Sequence, residues 1–413
     1  MQFTFSAFYT LIAAVIVLLL GRVLVNNISF LRRYSIPEPV AGGLVASALF
    51  TIAHSVFGLD IKYHDELRNS FMLIFFTSIG LSANFSRLRV GGSALLIFLV
   101  VIGVFIIIQN GVGMAMATLL GLDPLIGIIA GSITLTGGHG TAGAWGDVLE
   151  AQYGIQGALA LGFASATFGL VSGGIIGGPL ANWLIKRHNL AAEKSDNQIA
   201  DDKQHDAQTP DESGEFVVFQ NPGQVRLITA DNAITTLGMF AVCLAFAEFM
   251  TGFAKGTMFE LPTFVWALMC GVVLRTVLES VFKVQVFDRA IDVFGNAALS
   301  LYLAMALLAL KLWQLADLAG PLAIILIVQT IVMILYAAFV TFRVMGKDYD
   351  AAVLAAGHCG FGMGATPTAV ANMQAVTGRY KPSYKAFLIV PLCGAFLVDL
   401  INVVVIKGIL TFF

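Results

Sequence analysis

Ten runs of about 20 apolar residues fill most of the chain, at 6–25, 36–57, 71–88, 92–120, 157–185, 227–253, 261–281, 290–312, 321–344 and 384–406. A helix rising about 1.5 Å per residue needs about 20 residues to cross a hydrocarbon layer roughly 30 Å thick, so each run has the length of a transmembrane helix. Across the 413 residues 58% are hydrophobic and 12% charged, whereas soluble domains carry about 25% charged residues. Too little polar surface remains to cover a soluble core, and the chain reads as an all-α polytopic membrane protein. Cys243, Cys270, Cys359 and Cys393 are scattered through apolar stretches and form no Cys-x-x-Cys pair, which excludes a disulfide scaffold. A net charge of −2 gives no sign of a nucleic-acid partner.

Charge sets the orientation. No Lys or Arg precedes the first run, while Arg22, Arg32 and Arg33 follow it; a signal peptide has the opposite order. The positive-inside rule therefore predicts an outer N-terminus and a retained first span. Two further segments, about 123–145 and 350–377, are apolar but crowded with glycine. If each dips in and returns, only Lys62, Arg68, Lys255, Lys311 and Lys407 of the 23 basic residues stay outside. A full crossing by either segment would flip all later loops and weaken that bias. The expectation is ten spans, two re-entrant hairpins, and both termini on the periplasmic side.

Residues 188–225 hold Glu193, Asp196, Asp201, Asp202, Asp206, Asp211, Glu212 and Glu215 among few apolar residues. Such a composition buries too little surface to fold and reads as a flexible acidic cytoplasmic linker. It separates an N-terminal half, 1–187, from a C-terminal half, 226–413, each with five spans and one hairpin placed before the fifth. Because five is odd, the halves enter the membrane with opposite topology, the plan of inverted-repeat transporters. At an offset of 227, Asp123, Gly137, Thr141 and Ala142 match Asp350, Gly364, Thr368 and Ala369. Hairpins entering from opposite faces bring their tips together near the bilayer middle. Irregular backbone survives there only when protein or a wet cavity satisfies it.

The first hairpin carries Ser132, Thr134, Thr136, Gly137, Gly138, His139, Gly140 and Thr141. Its glycines disfavour helix and allow successive N–H groups to point at one anion, while the hydroxyls can take a carboxylate or a sodium ion. The second carries Gly357, Gly360, Gly362, Gly364, Thr366 and Thr368, with Thr366-Pro367 expected to open a helix and Asn372 one turn further on. His139 and His358 have no zinc-ligand spacing and read as hydrogen-bonding residues of the tips. Asp399 is a lone carboxylate inside the last run, where a charge needs a partner such as sodium or an ammonium group, and Asn402 shares its helix face. Gln109, Asn110 and Gln329 either line the pathway or bond between helices, and Glu38 is structural. The chain has no His-Glu-x-x-His, Gly-x-Ser-x-Gly or phosphate-binding Gly-x-x-x-x-Gly-Lys motif, so neither a hydrolase nor an ATP-driven pump is expected. These features alone describe an inverted-repeat secondary carrier for a small polar solute, with an ion channel the less favoured alternative.

Four segments carry a resemblance to a known family: 36–43 (Ile-Pro-Glu-Pro-Val-Ala-Gly-Gly), 131–141, Glu260-Leu-Pro-Thr-Phe264, and 356–369. In these, and over nearly its whole length, the chain resembles the bacterial sodium/glutamate symporters. The resemblance implies glutamate import coupled to sodium entry, preference over aspartate, residence in the bacterial inner membrane, a homodimer, and Na+ as coupling ion with no other cofactor. A carrier for another small carboxylate is the alternative. On that reading the glycines, hydroxyls and histidine of the first hairpin would hold substrate, together with Gly360, Gly362, Gly364, Thr366 and Thr368. Sodium would use Asp399, Asn372, Thr368, Asn402 and Gly357. By analogy, an elevator-like step would move the hairpin-bearing bundle against a scaffold of the other spans.

Overall fold

A computed structural model describes residues 2–33, 36–58, 60–83, 85–191, 228–257, 261–284, 286–310 and 318–413. The linker from residue 192 onward lies outside the described residues, as does Glu260 of the family motif.

The N-terminal half contains a short strand β1 (Gln2–Thr4), then α1 (Ala7–Asn27), α2 (Ser29–Arg33), α3 (Glu38–Phe57), β2 (Asp60–Lys62), α4 (Asp65–Leu81), α5 (Phe85–Leu119), α6 (Pro124–Ile128), α7 (Gly138–Tyr153) and α8 (Ala158–His188). The C-terminal half contains α9 (Ala230–Ala254), α10 (Thr263–Ser280), α11 (Asp288–Leu308), α12 (Ala319–Tyr336), α13 (Phe342–Val344), α14 (Tyr349–Met363), α15 (Thr366–Arg379), α16 (Tyr384–Leu392) and α17 (Val398–Leu410). Wide π-helical turns follow α6 (Ile129–Ile133), join α12 to α13 (Ala337–Thr341) and join α16 to α17 (Cys393–Leu397). β1 and β2 pair in parallel, Gln2 with Asp60.

Eight of these helices are long and apolar enough to cross a membrane. Two expected spans fall outside that group for local reasons. α4 has 17 residues and begins with Asp65 and Glu66, so the run expected at 71–88 is shifted toward the N-terminus. The last span is interrupted by Pro391 and the π turn. Large apolar side chains stand exposed on the long helices, among them Phe8, Ile12, Ile16 and Leu19 on α1 and Leu96, Val100 and Ile107 on α5. Water would penalise such surfaces, whereas lipid accepts them.

The helices pack as two groups. α1, α3, α4, α9, α10 and α11 lie against one another, and α5 to α8 lie with α12 to α17. The first group holds the first three spans of each half; the second holds the two remaining spans and the glycine-rich segment of each half. Inside the first group the Ser47 hydroxyl donates to the Leu307 carbonyl, tying α3 to α11. Arg275 of α10, 2% exposed, donates to the carbonyl of Leu81 at 2.8 Å and pairs with Asp288 and Glu279, each at 2.5 Å. One buried guanidinium thus pins the ends of α4, α10 and α11, with every polar neighbour turned to its charge. The two groups touch where Gly140 lies under Phe75 and Gly143 under Tyr302, and where Arg68 of α4 meets Asp147 of α7 at 3.2 Å.

Candidate functional site

Each glycine-rich segment folds as helix, break, helix. In the first, Asp123 caps α6 by accepting from the Leu125 N–H at 2.8 Å, with Pro124 in the opening turn. The helix loosens at Gly131 (φ −108°, ψ −132°), passes through turns at 134–137 and restarts as α7 on Gly138, at φ +70°. That left-handed angle is open to glycine and costly for other residues. In the second segment Asp348 caps α14 through the Ala351 N–H at 2.7 Å. The break is Gly364-Ala365, both extended in φ, and α15 begins at Thr366.

The tips meet. A Cβ placed on Gly138 would lie 3.2 Å from the Gly364 carbonyl oxygen, so the two backbones face each other directly. Amides from the flanking helices hold the junction. Gln109 of α5 donates to the Gly362 carbonyl at 3.0 Å and accepts from the Thr136 hydroxyl at 2.7 Å, and Gln329 of α12 donates to the Gln109 carbonyl at 2.7 Å. Gln109 and Gln329 thereby resolve as bonds between helices at the tips. No side chain caps α7 or α15. The Gly138 N–H donates to the Thr134 carbonyl at 2.9 Å and Pro367 has no N–H, so it is the remaining first-turn N–H groups, with the positive dipole ends, that can take an anion.

Several expectations change once the backbone is in place. Gly138, His139, Gly140 and Thr141 form the first turn of α7 and not an open loop, because the left-handed Gly138 turns the chain early enough for the helix to resume. Gly357, Gly360 and Gly362 lie inside α14 and not in an open loop; Gly362 is in its last turn, where its carbonyl meets Gln109. Gly360 permits the hairpin to close, since a Cβ there would stand 2.3 Å from Ala369 Cα. Gly357 sits beneath Val390 and Met373. Ala365 occupies the N-cap position expected of Thr366, whose hydroxyl instead donates to the Gly394 carbonyl in the last π turn at 3.1 Å.

The hydroxyls divide into those already bonded and those left over. Thr134 donates to the Ile129 carbonyl at 2.6 Å, and Thr141 donates to the Gly137 carbonyl at 2.8 Å. His139 Nε2 lies 3.1 Å from the Thr167 hydroxyl and its ring stacks on Phe163. His358 pairs with Thr341 at 2.8 Å within a box formed by Phe98, Phe105, Tyr336 and Phe361, a packed core position and not a tip. Asn372 donates to the carbonyls of Gly173 at 2.8 Å and Ala356 at 3.3 Å, fastening α15 to α8 and α14.

Left over are Ser132 Oγ, Thr368 Oγ1 and Asn402 Oδ1, all buried and without a hydrogen-bond partner among the described residues. Ser132 is held on both sides: its N–H donates to Asn110 Oδ1 at 3.0 Å, and its carbonyl accepts from Asn402 Nδ2 at 2.9 Å. Asp399, half-buried, makes no hydrogen bond or ion pair among the described residues. It lies on the stretch that touches the second hairpin at Gly394 and the first at Asn402. Buried polar atoms that lack partners are rare and costly, and one of these three, Asn402 Oδ1, lies one turn from the Asp399 carboxylate on the same helix.

The sequence reading missed the partner surface of the second hairpin. Gly169, Gly173 and Gly177 of α8 form a stripe against Met363, Cys359 and Asn372. Its period-four spacing is the small-residue pattern of close membrane helix packing, and it is visible in the sequence.

A family model described as sodium/glutamate symporter matches residues 3–382. Among curated relatives, the sodium/glutamate symporter of Haemophilus influenzae is 49% identical over 407 residues, covering 98% of both chains. The protein of the same description from Escherichia coli is 50% identical over 406 residues, again 98% of each. A family match over most of the length, with relatives near half identity along both chains, shows that this chain belongs to the sodium/glutamate symporter family.

Proposed function

We propose that the chain imports glutamate together with sodium across the bacterial inner membrane by alternating access. The carrying observation is the junction of the two tips, where the backbones of Gly138 and Gly364 face each other at the starts of two helices that no side chain caps, with unpartnered buried oxygens on Ser132 of the first hairpin, Thr368 of the second and Asn402 of the last span. The N–H groups opening α7 and α15 suit the substrate carboxylates. Ser132 Oγ, Asn402 Oδ1 and Asp399, with Thr368 Oγ1 from the second hairpin, suit sodium, a hard cation that prefers oxygen. Ser132 thus moves from the substrate set to the sodium set, because its hydroxyl is unpartnered and its carbonyl is held by Asn402, while the hydroxyls of Thr134 and Thr141 are spent on backbone. Sodium beside the site offsets substrate charge, so each ligand favours the binding of the other.

The division of helices into two groups supports an elevator-like step of the hairpin-bearing group against the other. The halves are read as inverted repeats with re-entrant hairpins, both termini periplasmic and the linker cytoplasmic, in a homodimer. Uptake of labelled glutamate into proteoliposomes under an inward sodium gradient tests the function. Accumulation that collapses when sodium is replaced by N-methylglucamine supports it, and accumulation indifferent to that replacement overturns it. Competition by aspartate and by other small carboxylates in the same assay defines the substrate class.

A further inference from the structure

Far from the tips, at the end of α8 that leads into the linker, a cavity of about 300 Å³ opens between α8 and the stretch 338–347. Its charged lining is cationic. Arg187 comes from α8, with His188 beside it, and Arg343 and Lys347 come from α13 and the turn after it; among the described residues no acidic one lines it. Among the described residues Arg187, Arg343 and Lys347 make no ion pair. Each Arg lies over an aromatic ring, Arg187 at 5.2 Å from the Trp183 centroid and Arg343 at 5.3 Å from that of Phe339. These contacts hold the guanidinium planes without neutralising them.

The rings themselves face outward: Trp183 is 45% exposed and Phe339 47%. From Phe339 an exposed apolar stripe continues along α12 through Leu335 and Ile331 at four-residue spacing, and on α8 exposed Ile175 stands two turns from Trp183. The cavity is thus a cluster of unpaired cations at the end of two apolar tracks. Aromatic side chains with Arg beside them mark the level where hydrocarbon gives way to headgroups.

From this we infer a binding site for an anionic phospholipid, its phosphate held by Arg187, Arg343 and Lys347 and its acyl chains lying along α8 and α12. Basic pockets between membrane helices suit such headgroups, and a zwitterionic lipid would bring an ammonium group to a site that offers it no carboxylate. A soluble anion would use the cations but not the tracks.

The site is tested by native mass spectrometry on the purified full chain titrated with phosphatidylglycerol, phosphatidylethanolamine or inorganic phosphate. The expected result is a retained phosphatidylglycerol adduct that weakens about fivefold for each cation removed in Arg187→Gln and Arg343→Gln, as about 1 kcal/mol per basic residue implies. Lys283→Gln, an equal loss of charge elsewhere, should leave it unchanged. All three positions are exposed, so these variants keep their packing, and Lys347→Gln provides a third independent cation. Equal retention in Arg187→Gln and wild type overturns the site. So does phosphatidylethanolamine binding as tightly as phosphatidylglycerol, or inorganic phosphate displacing the lipid at similar concentration. Carbodiimide coupling of Lys347 to the acidic residues of 193–215 in lipid-saturated protein would assign the pocket to the linker instead.

Discussion

Asn402 donates its side-chain amide to the carbonyl of Ser132 at 2.9 Å, joining the last span to the first hairpin through a buried contact between residues 270 apart in the chain. Neither the Asn402 side-chain oxygen nor the Ser132 hydroxyl has a hydrogen-bond partner among the described residues. Removing a hydroxyl that bonds to nothing costs little folding energy. Ser132→Ala is therefore expected to melt within about 1 kcal/mol of wild type in sodium-free buffer, while the rise in melting temperature on adding sodium shrinks. A full sodium-induced shift in Ser132→Ala would move the cation elsewhere.

Asp399→Asn keeps the shape of the side chain and removes the charge. If Asp399 is sodium's counter-charge as proposed, the sodium concentration for half-maximal uptake should rise at least about tenfold, with expression and membrane insertion unchanged. Sodium titrations of glutamate uptake in proteoliposomes decide it; an unaltered sodium response makes Asp399 structural.

Gly138→Ala places a methyl group at φ +70° and 3.2 Å from the Gly364 carbonyl. The backbone angle alone costs about 1–2 kcal/mol, and the methyl props the tips apart. Transport should fall by more than tenfold. Gly178→Ala on α8, where a Cβ meets nothing within 4 Å, is the control and should transport normally.

The two helix groups make a prediction about motion. A short bifunctional reagent joining Arg68→Cys to Asp147→Cys spans the groups at a pair that lies 3.2 Å apart in the native chain. It should stop uptake and release it again on reduction. The same reagent between Arg22→Cys and Glu38→Cys, an exposed pair 3.3 Å apart on α1 and α3, stays inside one group and should leave uptake intact. Inhibition by both, or by neither, would contradict movement of one group against the other.

Arg275→Met strips the charge from a site where Asp288 and Glu279 converge. Two carboxylates then face each other without their cation, and the loss should be about 3–5 kcal/mol. Thermal melting of the purified variant measures it. Transport by the surviving folded fraction should be unaltered, because the residue lies in the group without hairpins.

Much of this architecture was legible from apolar run length and from glycine, because each depends on local composition. The breaks at Gly131 and Gly364, the caps at Asp123 and Asp348, and the long helices from Ala7, Glu38 and Ala230 all have short-range causes. What sequence could not separate was which polar groups were already spent. Thr134 and Ser132 look alike along the chain, yet one hydroxyl reaches the Ile129 carbonyl and the other reaches nothing. That difference is decided by where a loosened turn places a carbonyl. Likewise glycine marks both loops and close helix packing, and only the approach of Ala369 Cα shows that Gly360 serves packing. The pairing of Gln109 with Gly362 joins residues from opposite halves and had no local signature.

The facing backbones of Gly138 and Gly364 carry one more implication. A constriction made of main chain has no rotamers, so no swinging side chain can widen or plug it. On the proposed reading, opening there takes displacement of whole helices, and changes of solute preference are to be sought in the first turns of α7 and α15, whose N–H groups face the substrate.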